Sequence, residues 1–172
     1  MDFREIWEFI KDTSGIIITI VAVVLLKIFI ISPITVSGES MKGTFNNDDW
    51  IVMEMVTPRF SIKRFDIVVV KYTNPKYIVK RVIALPGDTV EYKDNKLYIN
   101  DEEMEESFLV AGVITDDVSK TVIPEGHYYL VGDNRGASVD SRSPAYGPFA
   151  KKEIHGKVFL KLWPLKEMKI VK

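Results

Sequence analysis

The sequence contains no cysteine, and only two of its 172 residues are histidines, His127 and His155. Without cysteine the chain has no disulfide, no thiolate nucleophile and no Cys-ligated zinc. Neither histidine has a metal-binding spacing such as HExxH, and no Ser-His-Asp pattern surrounds them. We therefore expect both to be surface or strand-edge residues, and we expect no metal and no cofactor. Any hydrolytic chemistry here needs a base other than histidine.

The chain also lacks an excess of charge of either sign. Its formal net charge is −1, from 23 Lys and Arg against 24 Asp and Glu, and no basic cluster alternates with aromatic residues. The electrostatic footprint of a nucleic-acid-binding protein is therefore missing. With 47% hydrophobic residues, a chain of this length buries one good core. These features predict one globular domain and no nucleic-acid partner.

Long hydrophobic runs are absent except for one, at residues 15–31, which is polar only at Thr19 and Lys27. About 17 residues is the lower limit for a membrane-spanning helix, and Lys27 can extend its amine towards the interface. The run is a cleavable signal peptide, a signal anchor or a buried core helix. No small-residue cleavage site follows it, and it has no polar face. Both observations favour a transmembrane anchor, at residues 15–33.

The predicted anchor divides the chain into three parts. Residues 1–14 form a short segment that carries Arg4 and Lys11, and the positive-inside tendency keeps such a segment in the cytoplasm. Residues 34–172 then form a single extracytoplasmic domain. The predicted location is the cytoplasmic membrane, single-pass, with this domain on the outer face and membrane lipid as a partner.

Beyond residue 34 the hydrophobic pattern changes to a period of two. Apolar alternating runs at 50–56, 65–72 and 77–84 predict strands, and Asp94-Asn95 predicts a turn between two shorter ones. The fold class is therefore mainly β, with antiparallel sheets behind a single N-terminal transmembrane helix. Residues 108–119 show no interpretable pattern.

Ser40 lies in a predicted turn directly after the anchor. Pro33 before a β-branched run indicates a short extended segment, and Gly38 then allows a sharp turn. A serine in this place is a linker hydroxyl or a nucleophile. The spacing alone favours the linker.

Lys80 and Arg81 are adjacent cations in an otherwise apolar strand. Period two places them on opposite faces, so at least one is buried. They either protect an edge strand from aggregation, or Lys80 lies in an apolar site that lowers its pKa. In the second case a neutral amine is available to take a proton from a serine. The pattern alone does not separate these interpretations.

A third cluster, residues 132–142, reads Gly-Asp-Asn-Arg-Gly-Ala-Ser-Val-Asp-Ser-Arg and follows a predicted strand at 127–131. Gly, Asn and Asp at these positions are typical of a loop. Asp140 and Arg142 are two residues apart and can pair. Polar surface turns of this kind are common, but the density of polar groups favours a functional loop.

Together the three clusters resemble the motifs of the type I signal peptidases (peptidase family S26), which are membrane-anchored Ser-Lys proteases. Residues 36–41 are similar to the nucleophile motif, residues 77–88 to the lysine motif and residues 132–142 to the third motif. The resemblance spans nearly the whole chain, up to Trp163-Pro164, and favours the Gram-positive bacterial branch. It implies a barrel-like catalytic β domain.

The resemblance also implies roles for the matching residues. Ser40 matches the nucleophile, Lys80 the general base and Ser138 the hydroxyl that orients the lysine. Asp140 and Arg142 match a supporting pair beside the site. A weaker suggestion is a structural pair of Arg81 with Asp133.

The oxyanion hole and two other positions depart from the family pattern. The backbone N–H of Ser40 is expected to be one oxyanion donor. Gly38 stands where some branches have a serine hydroxyl, so a backbone group or Ser37 has to supply the second. Gly43 stands where the family usually has proline, and we expect it to loosen the loop. Phe65-Asp66 replaces a common Gly-Asp.

The implied function is a serine endopeptidase that removes N-terminal signal peptides from exported preproteins. The implied partners are secretory preproteins with small residues at the first and third positions before the cut. One alternative is a weak or inactive relative that serves as an assembly partner for surface proteins, and the presence of Ser40, Lys80 and Ser138 disfavours it. The other is a lipid-anchored or secreted β-sheet binding module. Soluble self-cleaving repressors share Ser-Lys chemistry but carry a DNA-binding domain and no anchor.

Overall fold

The structure is a computed structural model that describes residues 2–56, 61–73 and 76–171. Within these ranges one long helix, α1 (Phe3–Phe29), is followed by twelve strands. The strands are β1 (Ile31–Thr35), β2 (Trp50–Glu54), β3 (Ile67–Thr73), β4 (Lys76–Ala84), β5 (Thr89–Lys93), β6 (Lys96–Ile99), β7 (Glu102–Met104), β8 (Val118–Val122), β9 (His127–Val131), β10 (Phe149–Ala150), β11 (Ile154–Trp163) and β12 (Lys169–Ile170).

Helix α1 includes most of the predicted anchor but has different bounds. It begins at Phe3 and ends at Phe29, four residues before Pro33, which disfavours helical backbone in the residue preceding it. The last residues of the predicted anchor belong to strand β1. In the part of the chain that the structure describes, no helix is both long enough and apolar enough to cross a membrane.

The larger sheet has the strand order β1-β2-β11-β3-β4-β9-β10, with β12 paired to β11, and all of these pairs are antiparallel. The mainly β, antiparallel fold class is therefore confirmed. β1 and β10 are the two edges, so the expected barrel-like arrangement is open rather than closed. Strand β4 lies inside this sheet, between β3 and β9, which excludes the edge-strand interpretation of Lys80.

The smaller sheet has the order β7-β6-β5-β8, and tight hairpins join β5 to β6 and β6 to β7. Asp94 and Asn95 both have positive φ, as the two-residue turns that match strand twist require, and this confirms the predicted turn. Asn100 and Asp101 repeat the arrangement between β6 and β7. Residues 108–119, for which the sequence pattern predicts no element, are irregular until β8 begins at Val118.

The core lies on both faces of β3, which explains why its sequence is a continuous apolar run. Ile67 and Val69 pack into one cluster, and Val68 and Val70 pack into another on the opposite face. The first of these clusters also contains buried side chains from the loop that carries Ser40. The core thereby holds that loop against the sheet.

Candidate active site

Ser40 lies in a loop, residues 36–45, that we call the Ser40 loop. Val36, Met41 and Phe45 are buried in the core, and the Phe45 N–H donates to the Met41 carbonyl at 2.8 Å. Burial of these three apolar side chains stabilises the loop, which is not held by hydrogen bonds between paired strands. Ser40 itself is half-buried.

Gly38 makes the sharp turn that the sequence predicted, with φ at +94°. Its backbone N–H donates to Asn47 Oδ1 at 2.8 Å. The Gly38 N–H is therefore bonded within the protein and is not free to act as the second oxyanion donor. Of the candidates for a second oxyanion donor, the Ser37 hydroxyl lies in the lining of the cavity that also contains Ser40.

Lys80 lies in the middle of β4 with only 2% of its surface exposed. Its Nζ donates to Ser138 Oγ at 3.1 Å, and in the described residues no carboxylate lies within ion-pair distance of it. Burial lowers the pKa of Lys80 to about 8, although the charge of Asp140 opposes this shift and that of Arg142 supports it. About a tenth of the amine is therefore neutral at about pH 7, far more than for a lysine with the ordinary pKa.

Ser40 and Lys80 line the same cavity, of about 330 Å³. A larger cavity, of about 500 Å³, also has Ser40 in its lining and extends to Tyr77 and His155, whose rings lie 5.0 Å apart. Ser37, Ser40 and Ile78 line both cavities. His155 is on the surface, as expected, but it borders the space next to Ser40.

The third cluster, residues 132–142, forms the Ser138 loop, and its expected pair is present. Asp140 accepts hydrogen bonds from Arg142 Nε at 2.8 Å and Nη2 at 3.0 Å, and from the Gly132 N–H at 3.0 Å. Burial raises the pKa of Asp140, but the hydrogen bonds from Arg142, Gly132 and Ser138 outweigh it and hold the pKa below its usual value. The pair is therefore fully charged.

Gly132 allows the Ser40 loop and the Ser138 loop to meet. A Cβ at this position would lie 2.5 Å from the Ser40 carbonyl oxygen and would overlap Ser138 Oγ. Only glycine permits this approach. Gly132 was predicted as part of a motif but without a role of its own, and its position at the end of a buried strand was the available signal.

Arg81 and Asp133 form the suggested pair, buried at 2.7 Å between Nη2 and Oδ2. Asp133 also accepts a hydrogen bond from Thr44 Oγ1 at 2.5 Å, and Arg81 Nη1 donates to the Phe65 carbonyl at 2.9 Å. The pair thus joins β4, the Ser138 loop and the end of the Ser40 loop. Thr44 was not among the predicted residues.

Asn134 adds two further bonds between the loops. Its backbone N–H donates to the Ser40 carbonyl and its Nδ2 donates to the Glu39 carbonyl, each at 3.0 Å. This residue was not predicted to have a role, because an asparagine close to glycine is typical of any turn.

The two departures from the family pattern meet on one side of this site. Gly43 has φ at +104°, which proline cannot adopt, and a Cβ there would lie 2.8 Å from Val110 Cγ2. Phe65 also has positive φ, at 68°, and its ring lies 5.2 Å from that of Phe108. Residues 108–110 therefore cover both positions.

The assembled site contains a hydroxyl and a largely buried amine in one cavity, which suits proton transfer and nucleophilic attack. Among the described residues, no group of three or more acidic or histidine side chains is arranged to hold a metal ion. Lys80 is hydrogen-bonded to Ser138, and the charges of Asp140 and Arg142 act on its amine. Ser40 and Gly38 lie in the lining of the cavity that also contains Lys80.

Comparison with known proteins relates this chain to one family. The family described as "Signal peptidase, peptidase S26" matches residues 6–163. Signal peptidase I of Bacillus amyloliquefaciens is 38% identical, covering 92% of this chain and 90% of the relative. Signal peptidase I S of Bacillus subtilis strain 168 is 37% identical, covering 96% and 94%. The crystal structure of a signal peptidase I from Enterococcus faecalis V583 is 32% identical, with a TM-score of 0.49, covering 56% of this chain and 96% of that one.

Proposed function

The chain belongs to the signal peptidase family, peptidase S26, and we propose that it is a membrane-anchored serine endopeptidase that removes signal peptides from exported preproteins. The observation that carries this proposal is the state of Lys80. Its amine is buried, hydrogen-bonded to a hydroxyl and without an ion-pair partner in the described residues, in a cavity that it shares with Ser40. A lysine held in this way serves as a base at neutral pH.

The proposed reaction begins when neutral Lys80 takes the hydroxyl proton of Ser40. The freed Oγ forms a bond to the scissile carbonyl carbon, and the resulting oxyanion is bound by the Ser40 N–H. Collapse breaks the C–N bond, and the Lys80 ammonium returns its proton to the leaving amine of the mature protein. Lys80 then takes a proton from water, and the resulting hydroxide forms a bond to the ester carbonyl carbon of the acyl-enzyme. Collapse breaks the bond from that carbon to Ser40 Oγ, the Lys80 ammonium returns its proton to Oγ, and the signal peptide leaves with a free carboxylate.

Ser138 and the Asp140–Arg142 pair support this reaction by controlling Lys80. The 3.1 Å hydrogen bond to Ser138 Oγ holds the amine in one orientation. An isolated Asp140 would raise the pKa of Lys80, but Arg142 opposes that effect. Because the positive charge of Arg142 offsets that of the Asp140 carboxylate, Asp140 can position the loop without keeping Lys80 protonated.

The substrate is proposed to be an extended peptide with small side chains at the first and third positions before the cut. Two cavities that meet at Ser40 support this, because alternate side chains of an extended peptide point to the same side. The names of the relatives point to the same class of substrate, secretory preproteins. No cofactor takes part in the proposed chemistry.

We propose that α1 anchors the chain in the cytoplasmic membrane, with the N-terminus inside and the β domain on the outer face. The apolar side chains from Ile16 to Leu25 are exposed, which supports burial in lipid rather than in the domain. Arg4 and Lys11 favour a cytoplasmic N-terminus. Because Ser40 follows soon after α1, the site would lie at the depth where a signal peptide ends.

Cleavage of a purified preprotein by the wild type, Ser40→Ala and Lys80→Met tests the proposal. We expect each substitution to lower kcat by roughly 10³-fold or more, because the nucleophile or the base is removed. Wild-type cleavage that persists in either variant would disprove the assignment. A wild type that binds preproteins or surface proteins without cutting them would instead support the assembly-partner alternative.

A further inference from the structure

Asn134 holds both peptide groups that flank the Cα of Ser40. Its side-chain Nδ2 donates to the Glu39 carbonyl and its backbone N–H donates to the Ser40 carbonyl, each at 3.0 Å. The first of these carbonyls belongs to the same peptide unit as the Ser40 N–H. That N–H is the expected oxyanion donor.

The planarity of the peptide bond links the two ends of this unit. In a trans peptide the carbonyl and the N–H point in opposite directions, so a bond that fixes the Glu39 oxygen also fixes the direction of the Ser40 N–H. Across the described residues, the Ser40 N–H donates to no protein acceptor. A backbone donor left open in this way is available for a ligand.

We propose that Asn134 is a positioning residue that directs the Ser40 N–H towards the oxyanion, a role that rests on the proposed function. Preorganised donors stabilise developing charge because no reorganisation is needed when the charge forms. Without the Nδ2 bond the Glu39–Ser40 peptide is free to rotate, and the donor is then misaligned for part of the time.

The neighbours of Asn134 are suited to this role because both are fixed by buried ion pairs. Asp133 pairs with Arg81 at 2.7 Å, and Arg135 pairs with Glu106 at 2.6 Å. Asn134 also precedes a short 3₁₀ helix, and its carbonyl accepts from the Ala137 N–H at 3.1 Å. The amide that contacts Glu39 is therefore attached to a rigid segment.

The experiment measures kcat, KM and inhibitor affinity for the full-length wild type and for Asn134→Ala, with a preprotein and with a peptide boronic acid as a tetrahedral-intermediate analogue. We expect kcat to fall by about 10- to 100-fold, part of the 10²- to 10³-fold loss typical when one oxyanion donor is removed. The boronic acid should lose affinity by a similar factor. KM and the pH midpoint set by Lys80 should stay unchanged, which a merely structural contact would not predict.

Asn134→Asp is the second variant, because it is nearly isosteric and its carboxylate places an acceptor against the Glu39 oxygen. It should lower kcat at least as much as the alanine variant, and thermal unfolding shows whether both variants are folded. Asn47→Ala is the matched control, since it removes another asparagine contact to the Ser40 loop, at Gly38, without touching the Glu39–Ser40 peptide. We expect its kcat to stay within about 3-fold of the wild type.

The outcomes separate this proposal from the proposed function. A wild type without Ser40-dependent cleavage overturns the proposed function, and the role of Asn134 with it. A cleaving wild type with folded Asn134 variants whose kcat stays within about 3-fold overturns the role of Asn134 alone. Equal losses in Asn134→Ala and Asn47→Ala, or a loss confined to KM, also overturn it, because general loosening of the loop would then explain the effect.

Discussion

Among the described side chains of this domain two lysines are buried, Lys80 and Lys161, and their partners give them opposite properties. Lys161 is 2% exposed, as Lys80 is, but its Nζ pairs with Asp49 and with Glu167, each at 2.7 Å. Burial lowers the pKa of Lys161, yet the bonds to both carboxylates outweigh it and raise the pKa. Lys80 has a hydroxyl as its partner, so burial dominates. The nature of the partner decides which lysine is available as a base.

Activity should therefore depend on pH through Lys80. The pKa of its amine is lowered to about 8, and in the proposed mechanism only the neutral form takes a proton from Ser40. We expect kcat/KM to rise with pH along a limb with an apparent pKa near that value, measured with a preprotein between about pH 6 and about pH 9.5, because the rate follows the neutral fraction of the base. A profile that is flat across this range would contradict a lysine base.

The same shift predicts that Lys80→Met stabilises the protein. The pKa of Lys80 is lower in the folded than in the unfolded protein, so the unfolded chain holds the proton more tightly. Below the folded pKa of about 8 the buried charge lowers the free energy of unfolding by its full amount. This cost disappears as the pH rises to the unfolded value of 10.5. Urea unfolding at about pH 7 should show a gain of up to about 3 kcal/mol that shrinks by about pH 10. Lys161→Met is the matched control, and it should lose about 3 kcal/mol because it leaves Asp49 buried and unpaired.

Gly132→Ala should disrupt the site at the residue scale. The added methyl would lie 2.5 Å from the Ser40 carbonyl oxygen, so the two loops have to separate. We expect a loss of about 1–3 kcal/mol in stability and of about 100-fold in kcat, as displacements near 1 Å produce. Gly136→Ala is the control in the same loop. It should behave as the wild type in both measurements, because its added methyl would have no atom within 4 Å.

At the scale of elements, the Ser138 loop is held by two buried ion pairs, one from the larger sheet and one from the segment that follows β7 of the smaller sheet. Arg81, on β4 of the larger sheet, binds Asp133. Arg135 binds Glu106, two residues beyond the end of β7 in the smaller sheet, and its Nη1 donates to Thr115 Oγ1 at 2.9 Å. The segment next to the smaller sheet therefore contacts the loop that carries Ser138 through this ion pair.

Glu106→Gln tests this connection. The substitution leaves Arg135 buried without its carboxylate, and we expect a loss of about 3 kcal/mol in chemical unfolding together with reduced kcat. Glu103→Gln is the control, because its pair with Lys96 is about half exposed on both sides and should contribute less than about 1 kcal/mol. If the two variants unfold alike, the buried pair does not hold the loop.

The segment at residues 108–110 lies against both Gly43 and Phe65. The Phe108 ring packs on that of Phe65, and the Cζ atom of the Arg81 guanidinium lies over the Phe108 ring, 4.0 Å from its centroid. Val110 occupies the space beside Gly43. The two departures from the family pattern are therefore both neighbours of one covering segment.

At the scale of the whole molecule, the proposed anchor and the β domain have to act together. We expect the full-length chain, produced in a bacterium, to fractionate with membranes and to have its β domain digested by protease added from outside. Val21→Arg, in the middle of the exposed apolar run, should weaken insertion by roughly 2.5–3.5 kcal/mol. Glu8→Lys lies outside the run and should not. Recovery of the intact wild type in the soluble fraction would contradict anchoring.

The sequence by itself determined the features that depend on neighbouring residues. Alternating apolar residues predicted antiparallel strands, and Asp94-Asn95 predicted a hairpin turn, because backbone preference and side-chain alternation are local properties. The three motifs also pointed to the family to which the chain belongs. Residues 108–119 stayed without a prediction since their packing partners are distant in the chain.

Only the tertiary structure decided the chemical state of the site. Lys80 meets Ser138 across 58 residues, and Arg81 meets Asp133 across 52. Desolvation and charge depend on everything that surrounds a group in space, so an apolar strand pattern does not distinguish a base from a paired cation. The contacts of Gly132 and Asn134 with the Ser40 loop likewise exist only once β1, β4 and β9 are assembled. The reactivity of the lysine is therefore a property of the fold.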